Sequence, residues 1–224
     1  MANIFPRSSN WLPLKIVLMA LVLGTGVSAG MWYYFTPKYT RVGYQPVQPV
    51  QFSHKIHAGQ LGMDCRYCHS FVEVAAHSNI PTTQVCMNCH AQVQPQNPKL
   101  APVRESWQTG KPIAWTQVHK SPDYVYFNHA AHVNRGVSCV SCHGDVSEME
   151  VVHHEKSHSM DFCLTCHRNP ENELRPLAEV TNLKWQATPN EGESVSEAQV
   201  RIGTELKKAW NINPPDKNCA GCHR

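Results

Sequence analysis

Cys65-Arg-Tyr-Cys68-His69 decides how this chain is read, because the pattern returns as Cys86-Met-Asn-Cys89-His90, Cys139-Val-Ser-Cys142-His143, Cys163-Leu-Thr-Cys166-His167 and Cys219-Ala-Gly-Cys222-His223. C-x-x-C-H is the attachment signature of haem c. Two thiols two residues apart add to the two vinyl groups of one haem, and the histidine that follows ligates the iron from one side. All ten cysteines fall in these five pairs, which leaves none for a disulfide. Zinc ribbons, iron–sulfur sites and redox dithiols also use paired cysteines, but none of them needs histidine directly after the second. Histidine is 14 of 224 residues, so five in five by accident is on the order of one in a million. The expectation is five haem c groups, attached through these ten cysteines, with His69, His90, His143, His167 and His223 as proximal iron ligands.

Five large apolar discs take the place of much of a side-chain core. A hydrophobic share of 42% with 16 prolines then predicts a mainly α and irregular multihaem cytochrome c wrapped around its cofactors, with short helices and no continuous sheet. The formal charge of +3 says little about the surface, since every acidic residue lies at or beyond Asp64 and each haem brings two propionates. No basic block and no aromatic–basic interleaving occurs, which excludes nucleic acid as a partner.

The chain divides into segments. Residues 1–15 form a short polar tail carrying Arg7 and Lys15. Ile16 to Phe35 has no charge over 20 residues, about 30 Å of helix and the thickness of a bilayer core, and Trp32, Tyr33 and Tyr34 stand where an aromatic belt belongs. Val27-Ser-Ala29 would pass as a signal-peptide cleavage site, but the apolar run continues past it, so the segment is read as one transmembrane anchor. Lys38 and Arg41 flank its far end and leave the positive-inside count nearly tied. Haem c is attached outside the cytoplasm, which puts the haem domain in the periplasm and the amino terminus inside, at a bacterial inner membrane.

Residues 36–50, ending in Gln45-Pro-Val-Gln-Pro-Val50, read as a stiff, extended tether. Residues 51–100 carry the first two haem sites and 119–170 the third and fourth. The two modules echo each other: Phe52-Ser-His54-Lys-Ile-His57 precedes the first site and Phe127-Asn-His129-Ala-Ala-His132 the third. Residues 101–118 are a connector with Pro102, Pro112, Trp107 and Trp115. In 171–224, Ser194-Val-Ser-Glu197 is a capping box opening a helix that runs to Trp210, with Val200, Gly203, Leu206 and Trp210 on one face, before the fifth site.

Two histidines three apart on one helical turn emerge on the same side and can reach two irons. A haem held by two strong ligands passes electrons, and one with an open position can bind a small molecule. Beyond the proximal five, nine histidines remain, of which His153, His154 and His158 read as a solvated histidine-rich loop.

F-x-H-x-x-H followed by C-x-x-C-H resembles the small class III multihaem cytochromes, in which both histidines are distal ligands. That resemblance implies that His54 caps the first haem and His129 the third, with His57 and His132 each reaching a neighbour. A closer resemblance is to the pentahaem subunit of alternative complex III. It rests on the single anchor and on the stretches QPVQPVQFSH (45–54), IPTTQVCMNCH (80–90), HKSPDYVYFNHAAH (119–132) and MDFCLTCHR (160–168). It covers the chain to about residue 170; the tail is matched by its last C-x-x-C-H alone. By it, His119 is the fifth distal ligand. Met149 and Met160 also fall on family positions, and a Met–His haem has a raised potential; His77, nine residues before Cys86, is a further alternate. The family implies a membrane complex that oxidises quinol and delivers electrons to a periplasmic cytochrome or oxidase. Its partners would be iron–sulfur and quinol-oxidising subunits and a monohaem cytochrome c.

Two other readings remain. Membrane-anchored quinol dehydrogenases feeding periplasmic reductases also have one anchor and four or five haems, though their membrane-proximal haem is unusually ligated and this chain has five uniform sites. Multihaem nitrite reductases place lysine after C-x-x-C at the active haem, and no such site occurs here. The expectation is an electron-transfer subunit with no catalytic residue of its own.

Overall fold

Uninterrupted apolar side chains make the longest helix of the protein, α1, Leu12–Phe35. In this computed structural model residues 6–35 and 40–223 are described; the first five residues of the expected tail and 36–39 of the tether, with Lys38, lie outside the described residues. α1 begins four residues ahead of the charge-free run and takes in Lys15. Pro13 falls in its first turn, where a missing N–H costs nothing. The segment Ser8–Phe35 has a mean hydropathy of 1.9 and is long and apolar enough to cross a membrane. The chain parts into two compact units, 1–42 and 43–224.

The second unit has no strand among the described residues; one isolated antiparallel bridge joins Val137 to Leu174. Four attachment signatures coil into short helices: α2 (Cys65–Cys68), α3 (Thr83–His90), α6 (Cys139–His143) and α7 (Met160–Arg168), with α4 and α5 lying between α3 and α6 in the chain. The fifth is a single turn, Cys219–Gly221. One helical turn puts cysteines at i and i+3 on the same side, with the histidine at i+4 beside them. Side-chain oxygens of Asp64, Ser159 and Asn218 accept from the backbone N–H of Arg66, Phe162 and Ala220 and so start three of these turns.

The two modules of the sequence are clasped reciprocally. His54 leads into a wide π turn, Lys55–Gln60. That turn lies on the segment after the third site: Lys55 N donates to Met149 O at 3.0 Å and Ser53 Oγ to Glu150 at 3.0 Å. Gly59 is required there, because a Cβ would run into Ser147 O. In return, α5 (His129–Val133) docks on the first module, with His129 N on Ala76 O and Ala130 N on Ala75 O.

Within the connector, Pro102 opens and Gly110, at φ 70°, closes the nine-residue helix α4, Ala101–Thr109. Two expectations are corrected. The described part of the tether, from Gly43, is bound down rather than extended from the haem unit. Gly43 N and Tyr44 O pair with His154 O and N, and the Gln48 amide grips both backbone groups of Thr116. The bonds to 43–44 pin His154, expected in a solvated loop, and it has no exposed surface, while His153 and His158 are partly exposed.

The capping box is present with both of its arms and opens α8, Val195–Ala209. Its packed face is Ala198, Ile202 and Gly203 rather than Val200, which is exposed. Replacing Ser194 by Ala removes the acceptor for Glu197 N and is expected to cost about 1 kcal/mol. Amides of the first turn of α8 then exchange about fivefold faster with deuterium; an unchanged rate would contradict the cap.

Candidate functional site

None of the ten cysteines is in a disulfide, and all but Cys219 line one cavity of 2940 Å³. A drug-sized ligand takes about 300–1,000 Å³, so several large planar groups have room. Buried apolar side chains are correspondingly few among the described residues: Val50, Val103, Met149, Leu174, Val180, Ala187 and Ala198.

Histidines of the C-x-x-C-H and F-x-H-x-x-H motifs come in facing pairs. His54 faces His69 with ring centroids 6.4 Å apart and planes 2° from parallel, and His129 faces His143 at 6.3 Å and 5°. His57 stands 6.2 Å from His90, and His132 stands 6.0 Å from His167. A metal–imidazole bond is about 2.0–2.1 Å, so two rings on opposite sides of one metal have centroids about 6 Å apart. The two histidines of each F-x-H-x-x-H motif therefore reach different sites. Among the described residues no three His, Cys, Asp or Glu side chains converge as a metal cluster. Imidazoles in twos are the donor set of an iron whose remaining four ligands belong to a porphyrin.

The hydrogen bonds behind these rings fix which nitrogen is free. Nδ1 of His69, His90, His167 and His223 meets the backbone carbonyl of Asn79, Val93, Pro215 and Tyr124 at 2.8–3.2 Å. Nδ1 of His57, His129 and His132 meets the carbonyl of Ser53, Ala76 and Asn128 at 2.7–2.9 Å. A carbonyl only accepts, so Nδ1 carries the proton and the Nε2 lone pair is left for a metal. His153 and His158 are the reverse. Their Nε2 atoms are engaged, by Glu155 at 2.7 Å and by Cys142 O at 3.0 Å. Burial, with the nearby His69 and His57, lowers the pKa of His54 to about 4, and burial lowers His129, His132 and, furthest, His143. Each is neutral at pH 7, the state that ligates.

Contacts among the thiols give the order of the sites. The Cys139 thiol is pushed up by its hydrogen bond with Cys65 and by burial. Burial and the neighbouring Cys86 raise Cys68; burial with Cys166 and Cys163 raises Cys142 to about 12; burial with Cys222 raises Cys163. The sites thus run second–first–third–fourth–fifth. The sequence gives no sign of this order.

The remaining candidates stand outside those four pairs. His119 does not stand across from His223, whose ring neighbour is Tyr124 at 5.7 Å. It lies instead 4.3 Å from His143, 5.3 Å from His154 and 6.0 Å from His158. Burial, then His154 and His158, lowers its pKa to about 4. Met149 is buried against the His54 turn, Met160 is exposed at the start of α7, and His77 is exposed near His129. The cluster around His143 was missed by sequence reasoning; only the presence of histidines beyond the ligand demand hinted at it.

A family profile described as cytochrome c7 and related cytochrome c matches residues 50–107, and one described as cytochrome c552 matches residues 105–223, more than half of the chain. The chain is 34% identical over 153 residues to the menaquinone reductase multihaem cytochrome c subunit of Nitratidesulfovibrio vulgaris, covering 63% of this chain and 66% of that protein. It is 44% identical over 103 residues to cytochrome c-552 of Porphyromonas gingivalis, covering 43% and 20%. With cytochrome c-552 of Maridesulfovibrio salexigens it shares 24% over 231 residues, covering 82% and 45%. The chain thus spans just under two thirds of the first relative's length, a fifth of the second's and under half of the third's.

Proposed function

This chain belongs to the cytochrome c552 family, multihaem proteins with covalently bound haem c that transfer electrons, and from that premise we propose a five-haem relay within a membrane complex that oxidises quinol. The observation that carries the relay is the set of facing imidazole pairs, 54/69, 57/90, 129/143 and 132/167, at 6.0–6.4 Å. With both axial positions filled, an iron exchanges electrons and has no place for a substrate. Bound haem supplies the reversible one-electron couple. The chain's own residues would supply the thiols that anchor it, the neutral Nε2 atoms that hold the metal, and, at every paired ring but His54 and His143, a carbonyl that keeps the ring in orientation.

α1 anchors the chain in the inner membrane, with the amino terminus cytoplasmic and residues 43–224 periplasmic. A single helix cannot enclose a quinol, so other subunits do the quinone chemistry and this one carries the electrons on to a periplasmic cytochrome or oxidase. A multihaem subunit in a quinone-linked complex is also what the name of the Nitratidesulfovibrio relative describes, and the stretches 45–54 and 119–132 support the alternative complex III type.

Purification through a tag on this chain is the test. The expected result is co-purification of iron–sulfur and multi-helix membrane subunits, with no quinol oxidation by the isolated chain. Turnover of quinol by the chain alone would favour the stand-alone quinol dehydrogenase instead. The pairing has its own check. His132→Ala is expected to turn one haem in five high-spin and open to carbon monoxide, whereas a variant as unreactive as the parent would break the assignment of His132 to the fourth site.

A further inference from the structure

The carbonyl of the second attachment cysteine is satisfied in one of two ways. At the second and fourth sites the chain coils on past the motif, and Cys89 O and Cys166 O accept from Gln92 N and Asn169 N a turn further along. At the other three sites the helix stops at the motif, and the donor comes from elsewhere in the chain. Asn79 Nδ2 donates to Cys68 O at 3.1 Å, and Tyr126 N donates to Cys222 O at 2.9 Å. Each of these donors arrives with an acceptor for the ring that follows: Asn79 O meets His69 Nδ1 at 2.8 Å, and Tyr124 O meets His223 Nδ1 at 3.2 Å. Peptide and ring are held by one segment. At the third site the donor is His158, whose Nε2 donates to Cys142 O at 3.0 Å. No second arm comes with it: His143 is the one proximal ring without a carbonyl on Nδ1 among the described residues. A ring not held by its own nitrogen turns with the peptide that carries it, and His158 holds that peptide.

The backbone at His158 is left-handed, with φ 45°. That conformation costs a non-glycine residue free energy and persists where the surroundings impose it. Here the neighbouring serines impose it: Ser159 N donates to Ser157 Oγ at 3.4 Å and the two hydroxyls meet at 3.1 Å. Ser159 Oγ in turn accepts from Phe162 N and starts α7, the helix of the fourth site. We propose that His158 is the positioning residue of the third haem: through the Cys142 carbonyl it fixes the peptide from which His143 hangs, and it ties that peptide to the start of α7. Transfer between neighbouring haems depends on the separation of their edges. A side chain that joins the two attachment segments therefore sets the step from the third haem to the fourth. The inference rests on the haem relay and gives one histidine beyond the ligand demand a place in it.

The test is electron paramagnetic resonance of the oxidised, full-length holoprotein. The angle between two axial imidazole planes shapes a low-spin ferric signal: rings near parallel give a rhombic one, crossed rings a steeply anisotropic one. Three pairs are nearer parallel than crossed, 54/69 at 2°, 129/143 at 5° and 132/167 at 27°. Glycine adopts a φ of 45° without strain, so His158→Gly removes the donor and keeps the turn. Its rhombic signal is expected to lose one haem in three, with haem content and the number of low-spin haems at the parent value. His158→Gln, whose carboxamide N–H reaches about as far as Nε2, is expected to restore that signal. A rhombic signal unchanged in His158→Gly, or lost equally in both variants, would overturn the hydrogen bond as the mount of His143. Conversion of one haem to high-spin in both variants would make His158 an iron ligand, also overturning the proposal while leaving the relay intact. A parent protein without low-spin haem would count against the relay itself.

Discussion

Removing the third attachment pair, Cys139→Ala with Cys142→Ala, is expected to stop electron flow along the molecule while haem content falls by one in five. The thioether carbons lie on the edge of a haem, so neighbouring thiols mean neighbouring haem edges. Cys65 and Cys139 are neighbours that shift one another, and Cys142 is shifted by Cys166 and Cys163. The third site therefore has two sites on each side of it. No second route bridges the first pair to the last among these contacts. The matching control is Cys219→Ala with Cys222→Ala, which shortens the row at one end and leaves four haems in communication. The central deletion also removes a large apolar group from the best buried of the attachment sites. Its structural cost is on the order of 3–5 kcal/mol, as for emptying the place of a large aromatic side chain. Rapid reduction with a donor at one end, followed by the spectra of individual haems, separates the two variants. If the central deletion leaves the far haems reducible at the parent rate, the order of sites is wrong.

The five attachment sites could be read from sequence because their chemistry is local: two thiols and an imidazole on one turn need no knowledge of the rest of the fold. The distal histidines were nearly as legible, since F-x-H-x-x-H sets both rings on one turn wherever that turn ends up. What the turn faces was not legible. His57 reaches His90 and His132 reaches His167 only because residues 53–60 rest on 146–150 and α5 rests on Ala75 and Ala76, contacts made across about fifty to a hundred residues of chain. His154 shows the same limit. A run of His-His-Glu-Lys reads as solvated by composition, yet two backbone hydrogen bonds to 43–44 hold it down and His154 within it is fully buried. His119 lay in a stretch that matched a ligand-bearing motif, and the spacing did not show that its ring would lie against His143, His154 and His158.

Gly203→Ala and Gly203→Leu bear on how the tail holds that central site in place. Along α8, Gln199, Gly203 and Lys207 are one helical turn apart, and all three meet Glu171. Gln199 Nε2 donates to Glu171 O at 3.2 Å and to Leu174 O at 2.7 Å, and Lys207 Nζ pairs with the Glu171 carboxylate at 2.8 Å. Between them the helix comes so close that a Cβ on Gly203 would overlap Glu171 O and lie 2.6 Å from its carbonyl carbon. The neighbour met is backbone, which cannot turn aside. The turn it belongs to carries Glu173, which accepts from Ser141, Leu174, which is 1% exposed and bridges Val137, and Arg175, whose N–H donates to Gly136 O. Pushing α8 off this turn thus loosens the wall behind Cys139. Leucine is expected to destabilise the segment by on the order of 3–5 kcal/mol, from overpacking of about 1–3 and the carbonyls left unmet, and to expose residues 176–200 to limited proteolysis. Alanine is the sharper probe. On an exposed helix it would stabilise by about 1 kcal/mol relative to glycine, so here propensity and close approach have opposite signs. Faster cleavage of Gly203→Ala than of the parent means that the approach governs; slower cleavage means that the helix does not lie on Glu171 as closely as its backbone indicates.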